Sequence, residues 1–314
     1  KFSILHTSIN QERKYVKMEK TYVVIPSSDS SAVLNIEIFA PKDKSNLKGM
    51  IQICHGMTEH MDRYNEFAEY FTANGYIVFG NDIISHGRST TTKSECLYFS
   101  DWHNVVKDIV KTRIYVTKKY PHLNVYLLGF SLGSFIVRTN ADLTYYKKTI
   151  LVGTGYQPAV ALKIMRKIVE IKSKRKMMIS SDKIKQLVFD DYNKYFKGKP
   201  ELYWLITDDD ARAEYENDPL VQRKFTPAFF CEFLKGMEYA SANLKHPNNI
   251  SPTLFLYGIN DPVAGFGKGI RKIYTRYRAV NDQTEIESFP GAHDILHDEW
   301  REEVFKTIKE FLEK

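Results

Sequence analysis

Short apolar runs punctuate the first half of the chain. Tyr22 to Ile25 and Leu34 to Phe39 flank the polar segment Ser27 to Ser31, a pattern that predicts a β-hairpin. After it the rhythm changes. Gly49 to Cys54, Tyr76 to Gly80, Val125 to Gly129 and Thr149 to Gly153 are short and largely apolar, and each adjoins a helical pattern. Phe67, Ala68 and Phe71 recur at helical spacing within Tyr64 to Asn74, and Val106, Ile109, Val110 and Ile114 do so within Val105 to Tyr120. Gly75 and Pro121 are suited to end those helices. Strands alternating with helices predict βαβ units, hence an α/β fold whose mostly parallel central sheet is flanked by helices.

From about Thr154 to Ile250 this rhythm is lost among basic helical stretches, aromatic clusters and the acidic turn Asp208 to Asp210. The sheet pattern then resumes with Thr253 to Gly258, a helix from about Lys268 to Arg278, the strand Thr284 to Phe289 and a last helix from Glu299 to Lys314. The expected organisation is therefore a core of residues 1–153 and 251–314 carrying a helical lid, residues 154–250, as an insertion. A length of 314 residues suits one core with such an insertion.

Composition narrows the class. Hydrophobic residues at 43% and charged residues at 26% are those of a soluble globular protein, and no stretch approaches the roughly 18 uncharged apolar residues of a membrane span. Lys1 to Asn10 carry no apolar run leading to a cleavage site. Cys54, Cys96 and Cys231 are too few and too scattered for a disulfide framework or a clustered metal site, which points to a reducing compartment. A cytoplasmic location is expected, peripheral to a membrane if the basic lid meets lipid. The formal charge of +7 reads as a solvated surface, and no nucleic-acid partner is expected.

The chemistry is concentrated in a few loops. Gly129-Phe130-Ser131-Leu132-Gly133 matches G-x-S-x-G, lying between the apolar strand Val125 to Leu128 and the helical stretch Ser134 to Leu143. Gly129 and Gly133 let helix and strand approach closely, so that the Ser131 hydroxyl stands exposed at a helix N-terminus. A serine hydroxyl needs a base to remove its proton, and in this arrangement the acid and then the histidine follow the serine in chain order. His293 fits, directly after the last strand. Asp261, in the loop after Thr253 to Gly258, is the orienting acid, with Asp282 in reserve; Asp294 is too near His293 in sequence to reach its ring. Two backbone donors must hold the oxyanion: the Leu132 amide after the nucleophile and, following an early strand, the Met57 amide in His55-Gly56-Met57. His55 is expected to shape that turn.

These residues, with His55-Gly56-Met57-Thr58-Glu59-His60, Asp82, His86-Gly87-Arg88-Ser89 and Asn217-Asp218-Pro219-Leu220, run in an order that resembles the monoacylglycerol lipase and lysophospholipase branch of the α/β hydrolases, a branch grouped with the serine aminopeptidases. The resemblance implies the α/β-hydrolase fold, a Ser131, Asp261, His293 triad and an oxyanion hole at Met57 and Leu132. It also implies hydrolysis of a lipid-like carboxylic ester through an acyl-enzyme, without metal or organic cofactor. Two rivals stand beside it. An aminopeptidase would need lid carboxylates such as Glu201, Glu214 or Glu232 to meet the substrate ammonium, and a binding protein would keep the fold without turnover.

Three further patterns compete for attention. His293-Asp294-Ile295-Leu296-His297 imitates a zinc-binding H-E-x-x-H, but Asp replaces Glu and no third ligand is evident nearby. Gly265-Phe266-Gly267-Lys268-Gly269 satisfies neither phosphate-loop pattern and reads as a flexible connection. Lys163 to Met178 interleaves Ile164, Met165, Ile168, Val169 and Ile171 with lysines and arginines, an amphipathic basic helix whose apolar side is suited to an acyl pocket and whose basic side is suited to an anionic lipid surface; a plain solvated lid helix fits the pattern equally well. Which lid aromatics face the site, among Tyr192, Tyr195, Phe196, Tyr203, Trp204, Phe225, Phe229, Phe230 and Phe233, is open at this level.

Overall fold

The computed structural model describes residues 18–140, 143–186, 191–244 and 250–314; the start of the chain lies outside them. The expected hairpin forms from β1 (Glu19–Pro26) and β2 (Val33–Ala40), antiparallel with Tyr22 opposite Glu37. Next come β3 (Gly49–Cys54), α1 (Asn65–Ala73), β4 (Tyr76–Asn81), α2 (Trp102–Thr117), β5 (Val125–Phe130), α3 (Leu132–Thr139) and β6 (Lys148–Val152). Between β6 and β7 the chain leaves the sheet and builds α4 (Ala159–Ser173), the single turns α5 (Asp182–Lys185) and α6 (Asp191–Asn193), α7 (Asp209–Asn217) and α8 (Pro227–Asn243). It returns through β7 (Thr253–Gly258), α9 (Lys268–Arg278), β8 (Glu285–Phe289) and α10 (Arg301–Glu313).

The eight strands pair in the order β1-β2-β4-β3-β5-β6-β7-β8, parallel from β4 through β8 and antiparallel at the hairpin edge. Strands β3, β4, β5 and β7 are buried along their whole length, which explains why they read as continuous apolar runs rather than alternating ones. Successive side chains serve opposite faces. Ile51, Leu128, Ile150 and Leu256 pack with Phe67 and Phe71 of α1 and with Val304, Phe305 and Ile308 of α10. Met50, Leu127, Leu151 and Phe255 pack with Val105 and Ile109 of α2, Phe135 and Ile136 of α3, and Ile270 and Ile273 of α9. Buried beside this second layer, Gln52 donates to the Ile109 carbonyl at 2.8 Å and accepts from the Tyr146 hydroxyl at 2.7 Å, so its burial leaves neither end of the amide unbonded.

This topology brings the C-terminal ends of β3, β5, β7 and β8 to one edge of the sheet, where loops carry function in open α/β folds. Asp101 and Thr226 cap α2 and α8 through their side chains, accepting from the amides of His103 and Phe229.

Candidate active site

At the end of β5 the backbone turns sharply into α3 through Ser131, whose φ of 49° lies in the left-handed region that a side chain makes costly. The turn is tied in place: the Ser131 amide donates to the Val152 carbonyl at 3.0 Å, and the Ser131 carbonyl accepts from the Ser134 hydroxyl at 2.6 Å. Its two glycines answer to space. A Cβ on Gly129 would lie 2.8 Å from the Gly133 carbonyl oxygen, and one on Gly133 would lie 1.9 Å from that of Cys54.

His293 approaches from the loop after β8, with Nε2 2.7 Å from Ser131 Oγ. Its Nδ1 is 2.9 Å from Oδ2 of Asp261, facing the carboxylate without an aligned hydrogen bond. Asp261 is fully buried, and its Oδ1 accepts from the amides of Val263 at 2.7 Å and Ala264 at 3.1 Å, leaving Oδ2 to face the imidazole. A proton on Nδ1, beside the carboxylate, leaves Nε2 free to accept the serine proton.

The imidazole is further confined by groups that no local motif announces. Its own amide donates to the Trp204 carbonyl at 3.0 Å, and the rings of Phe130 and Trp204 lie 5.2 and 5.8 Å from it, centroid to centroid. At Gly153, where φ is 60°, a Cβ would come within 2.8 Å of His293 Cε1. Gly153 had a faint signature as a glycine ending an apolar run; Trp204 stood only among nine lid aromatics whose orientation the sequence leaves open.

Met57 and Leu132 both approach Ser131: Met57 lines the same cavity, and Leu132 opens α3. Among the described residues neither amide donates to an acceptor within the protein. His55 is fully buried. Its Nε2 accepts from the Ile83 amide at 2.9 Å and its Nδ1 lies 2.8 Å from the Gly56 carbonyl, so the proton is on Nδ1. Burial, reinforced by the neighbouring His86, pushes its pKa well below the usual histidine value and keeps it neutral.

Asp282 is exposed in the turn before β8, where Arg278 bonds its carbonyl, and has no part in the site. Asp294 points away from the His293 ring, to His297 at 2.8 Å and Arg63 at 3.2 Å. Burial alone would raise its pKa, but those two partners hold it below the ordinary carboxylate range. The segment imitating a zinc helix is a series of turns. Glu59, Asp294 and His297 do converge, yet Arg63 reaches both carboxylates at 3.2 Å and supplies the positive charge there. Gly265 and Gly267 take φ of 64° and 84° in the connection leading into α9.

Ser131 and His293 open onto a cavity of about 230 Å³ walled by Phe135, Leu162, Phe230, Phe233, Leu234 and Val263. Of the nine lid aromatics, Tyr192, Trp204, Phe230 and Phe233 border it. No carboxylate lines it among the described residues: Glu201 and Glu214 are exposed, and Glu232 accepts from the Trp102 amide at 2.8 Å. The apolar side of the basic helix is divided. Leu162 and Met165 border the cavity, whereas Val160, Ile164, Ile168 and Ile171 are 47% to 75% exposed.

A mostly parallel sheet bearing a strained serine at a strand-to-helix turn, beside a buried histidine, defines a serine hydrolase of the α/β-hydrolase class. The profile of the family described as serine aminopeptidase, S33, matches residues 45–300, and the chain belongs to that family. It is 27% identical over 270 residues to a monoglyceride lipase homolog of Monkeypox virus, covering 84% of this chain and 89% of that one. It is 25% identical over 273 residues to the monoglyceride lipase of Mus musculus, covering 86% and 82%. A highly thermostable carboxyl esterase from Bacillus coagulans superposes with a TM-score of 0.80 at 22% identity, over 94% of this chain and all of that one.

Proposed function

We propose that the protein hydrolyses a lipid-like carboxylic ester, such as a monoacylglycerol or a lysophospholipid, with Ser131 as nucleophile. The observation that carries this is the 2.7 Å approach of His293 Nε2 to Ser131 Oγ at the mouth of an apolar cavity. His293 takes the hydroxyl proton as Ser131 attacks the acyl carbon, and the amides of Met57 and Leu132 receive the oxyanion. The tetrahedral intermediate expels the alcohol, which takes the proton back from His293. Water, deprotonated by His293, then releases the fatty acid from the acyl-enzyme, while Asp261 stabilises the charged ring.

The apolar walls suit an acyl chain, and the names of the relatives point the same way. An aminopeptidase role lacks support at the cavity, where no carboxylate among the described residues is present to meet an ammonium. Residues 154–250 act as the lid in this reading, since they supply Leu162, Trp204, Phe230 and Leu234 to the cavity wall.

Fluorophosphonate labelling with parallel assays on glycerol esters and aminoacyl amides tests the proposal. The wild-type protein is expected to label and to prefer esters. Ser131→Ala is expected to resist labelling and lose roughly 10⁴ to 10⁶ in turnover. Equal labelling of both proteins, or a preference for amides, would overturn it.

A further inference from the structure

Thr58, immediately after the oxyanion donor Met57, has a φ of 73° and is fully buried. A β-branched residue in the left-handed region is an outlier, and such a conformation persists only where its surroundings impose it. Here the surroundings come from the segment inserted between β6 and β7. The Gln222 amide donates to the Thr58 carbonyl at 3.0 Å, and the Tyr215 hydroxyl lies 2.5 Å from Thr58 Oγ1. Thr58 Oγ1 in turn donates to the Met57 carbonyl. A threonine hydroxyl has one proton, already given to an acceptor, so Tyr215 is the donor to Thr58.

The resulting chain runs from the Tyr215 hydroxyl through Thr58 to the peptide group that follows Met57. The peptide preceding Gly56 is held from the other side, its amide donating to Glu59 Oε1, which also accepts from the Tyr64 hydroxyl at 2.8 Å. Between these two fixed peptides lies the one whose N–H belongs to Met57. Tyr215 is buried, and burial pushes its phenol pKa up to about 12, so it remains a donor throughout the range in which ester hydrolysis would be assayed.

We propose that Tyr215 of α7 is a positioning residue that holds Thr58 in its left-handed conformation and thereby aims the Met57 amide at the oxyanion. This rests on the reading of Ser131 as nucleophile and Met57 as oxyanion donor. The oxyanion hole is thus completed by the inserted segment rather than by the core alone. Its geometry depends on how residues 209–222 are seated, a link between lid and chemistry that acts on kcat rather than on substrate fit.

Active-site titration with a fluorophosphonate, followed by kcat and KM on a short p-nitrophenyl ester, tests this in Tyr215→Phe, Thr58→Val, Thr58→Gly and the double variant Tyr215→Phe/Thr58→Gly. Tyr215→Phe is expected to lower kcat about tenfold with KM within about twofold, a smaller loss than the roughly 10²- to 10³-fold cost of removing an oxyanion donor outright. Thr58→Val removes the same hydrogen bond from the other side and is expected to lose as much, which keeps the test decisive if Tyr215→Phe does not fold. Glycine adopts a positive φ without help, so in the Thr58→Gly background the Tyr215→Phe change is expected to cost less than about twofold. Unchanged kcat in both Tyr215→Phe and Thr58→Val, a rise in KM alone, or an equal loss with and without Thr58→Gly would overturn the proposal. Failure of the nucleophile assignment reads differently: Ser131→Ala would then still label and turn over.

Discussion

Glycine at position 133 is required by distance rather than by conformation. Its Cα faces the carbonyl oxygen of Cys54, 1.9 Å from where a Cβ would stand, and that oxygen belongs to backbone that cannot swing aside. Gly133→Ala is therefore expected to destabilise the protein by at least the roughly 1–3 kcal/mol typical of overpacking, and to displace Ser131 as α3 withdraws from β3. Thermal unfolding and fluorophosphonate labelling measured together check both parts. Glu37 makes a different argument. Its side chain is fully buried, with Lys20 Nζ 3.0 Å from Oε2 and Arg88 3.3 Å from Oε1. Burial dominates over Lys20 and lifts its pKa to about 7. An acid whose pKa is higher folded than unfolded stabilises the fold when protonated, so this contribution is full below the ordinary glutamate range and fades as pH rises towards 7. The melting temperature of the wild type is expected to fall between pH 5 and pH 8 relative to that of Glu37→Gln; parallel curves for the two proteins would contradict this.

At the scale of elements, α4 presents the clearest mismatch between pattern and surroundings. Its pattern fits an apolar side lining a pocket as well as a solvated lid helix, and the helix turns Val160, Ile164, Ile168 and Ile171 outward. Lys163, Lys167 and Lys172 are exposed beside this stripe, while Arg166 is held inward by Glu170 at 2.7 Å and Glu238 of α8 at 2.6 Å. An exposed apolar row bordered by lysines suits the surface of an anionic bilayer, and the same helix supplies Leu162 and Met165 to the cavity that would take an acyl chain. Replacing Ile164, Ile168 and Ile171 by glutamate is expected to abolish co-sedimentation with vesicles of anionic phospholipid while leaving hydrolysis of a short soluble ester within about twofold. Vesicle binding that survives the triple replacement would exclude this face. No described helix is long and apolar enough to cross a membrane.

For the whole molecule, the inserted segment is bound to the core on both sides of the candidate site. Trp204 and Leu205 accept through their carbonyls from the amides of His293 and Asp294, and Asp298 accepts from those of Thr207 and Asp208 at 2.9 Å. On the opposite side Tyr215 and Gln222 hold Thr58, and Asp218 meets His60 at 2.8 Å. His293, the turn at Thr58 and the cavity wall therefore share one scaffold, although 100 residues, 153–252, separate β6 from β7 in the chain.

The strands and most helices were legible in the sequence because periodicity is a local property: a fully buried strand must be apolar throughout, and a helix with one solvated face must repeat its apolar positions. Ser131, Asp261 and His293 could be singled out for a related reason. Each follows a strand, and parallel strands of one sheet bring their C-terminal ends to a common edge. The remainder depended on contacts between distant segments. Tyr192, Trp204, Phe230 and Phe233 border the cavity while Phe225 and Phe229 are buried in the hydrophobic core, a choice made by how the segment folds back on the sheet, since among the four phenylalanines nothing in sequence separates the two groups. Neither the left-handed turn at Thr58 nor its partner Tyr215, 157 residues away, leaves a trace in local pattern. Local chemistry determined the sheet, the elbow and the order of the reactive groups. Only tertiary packing decided the confinement of the histidine, the shape of the cavity and what holds the turn at Thr58, because a hydrogen bond or a ring contact depends on positions that the chain brings together only when folded.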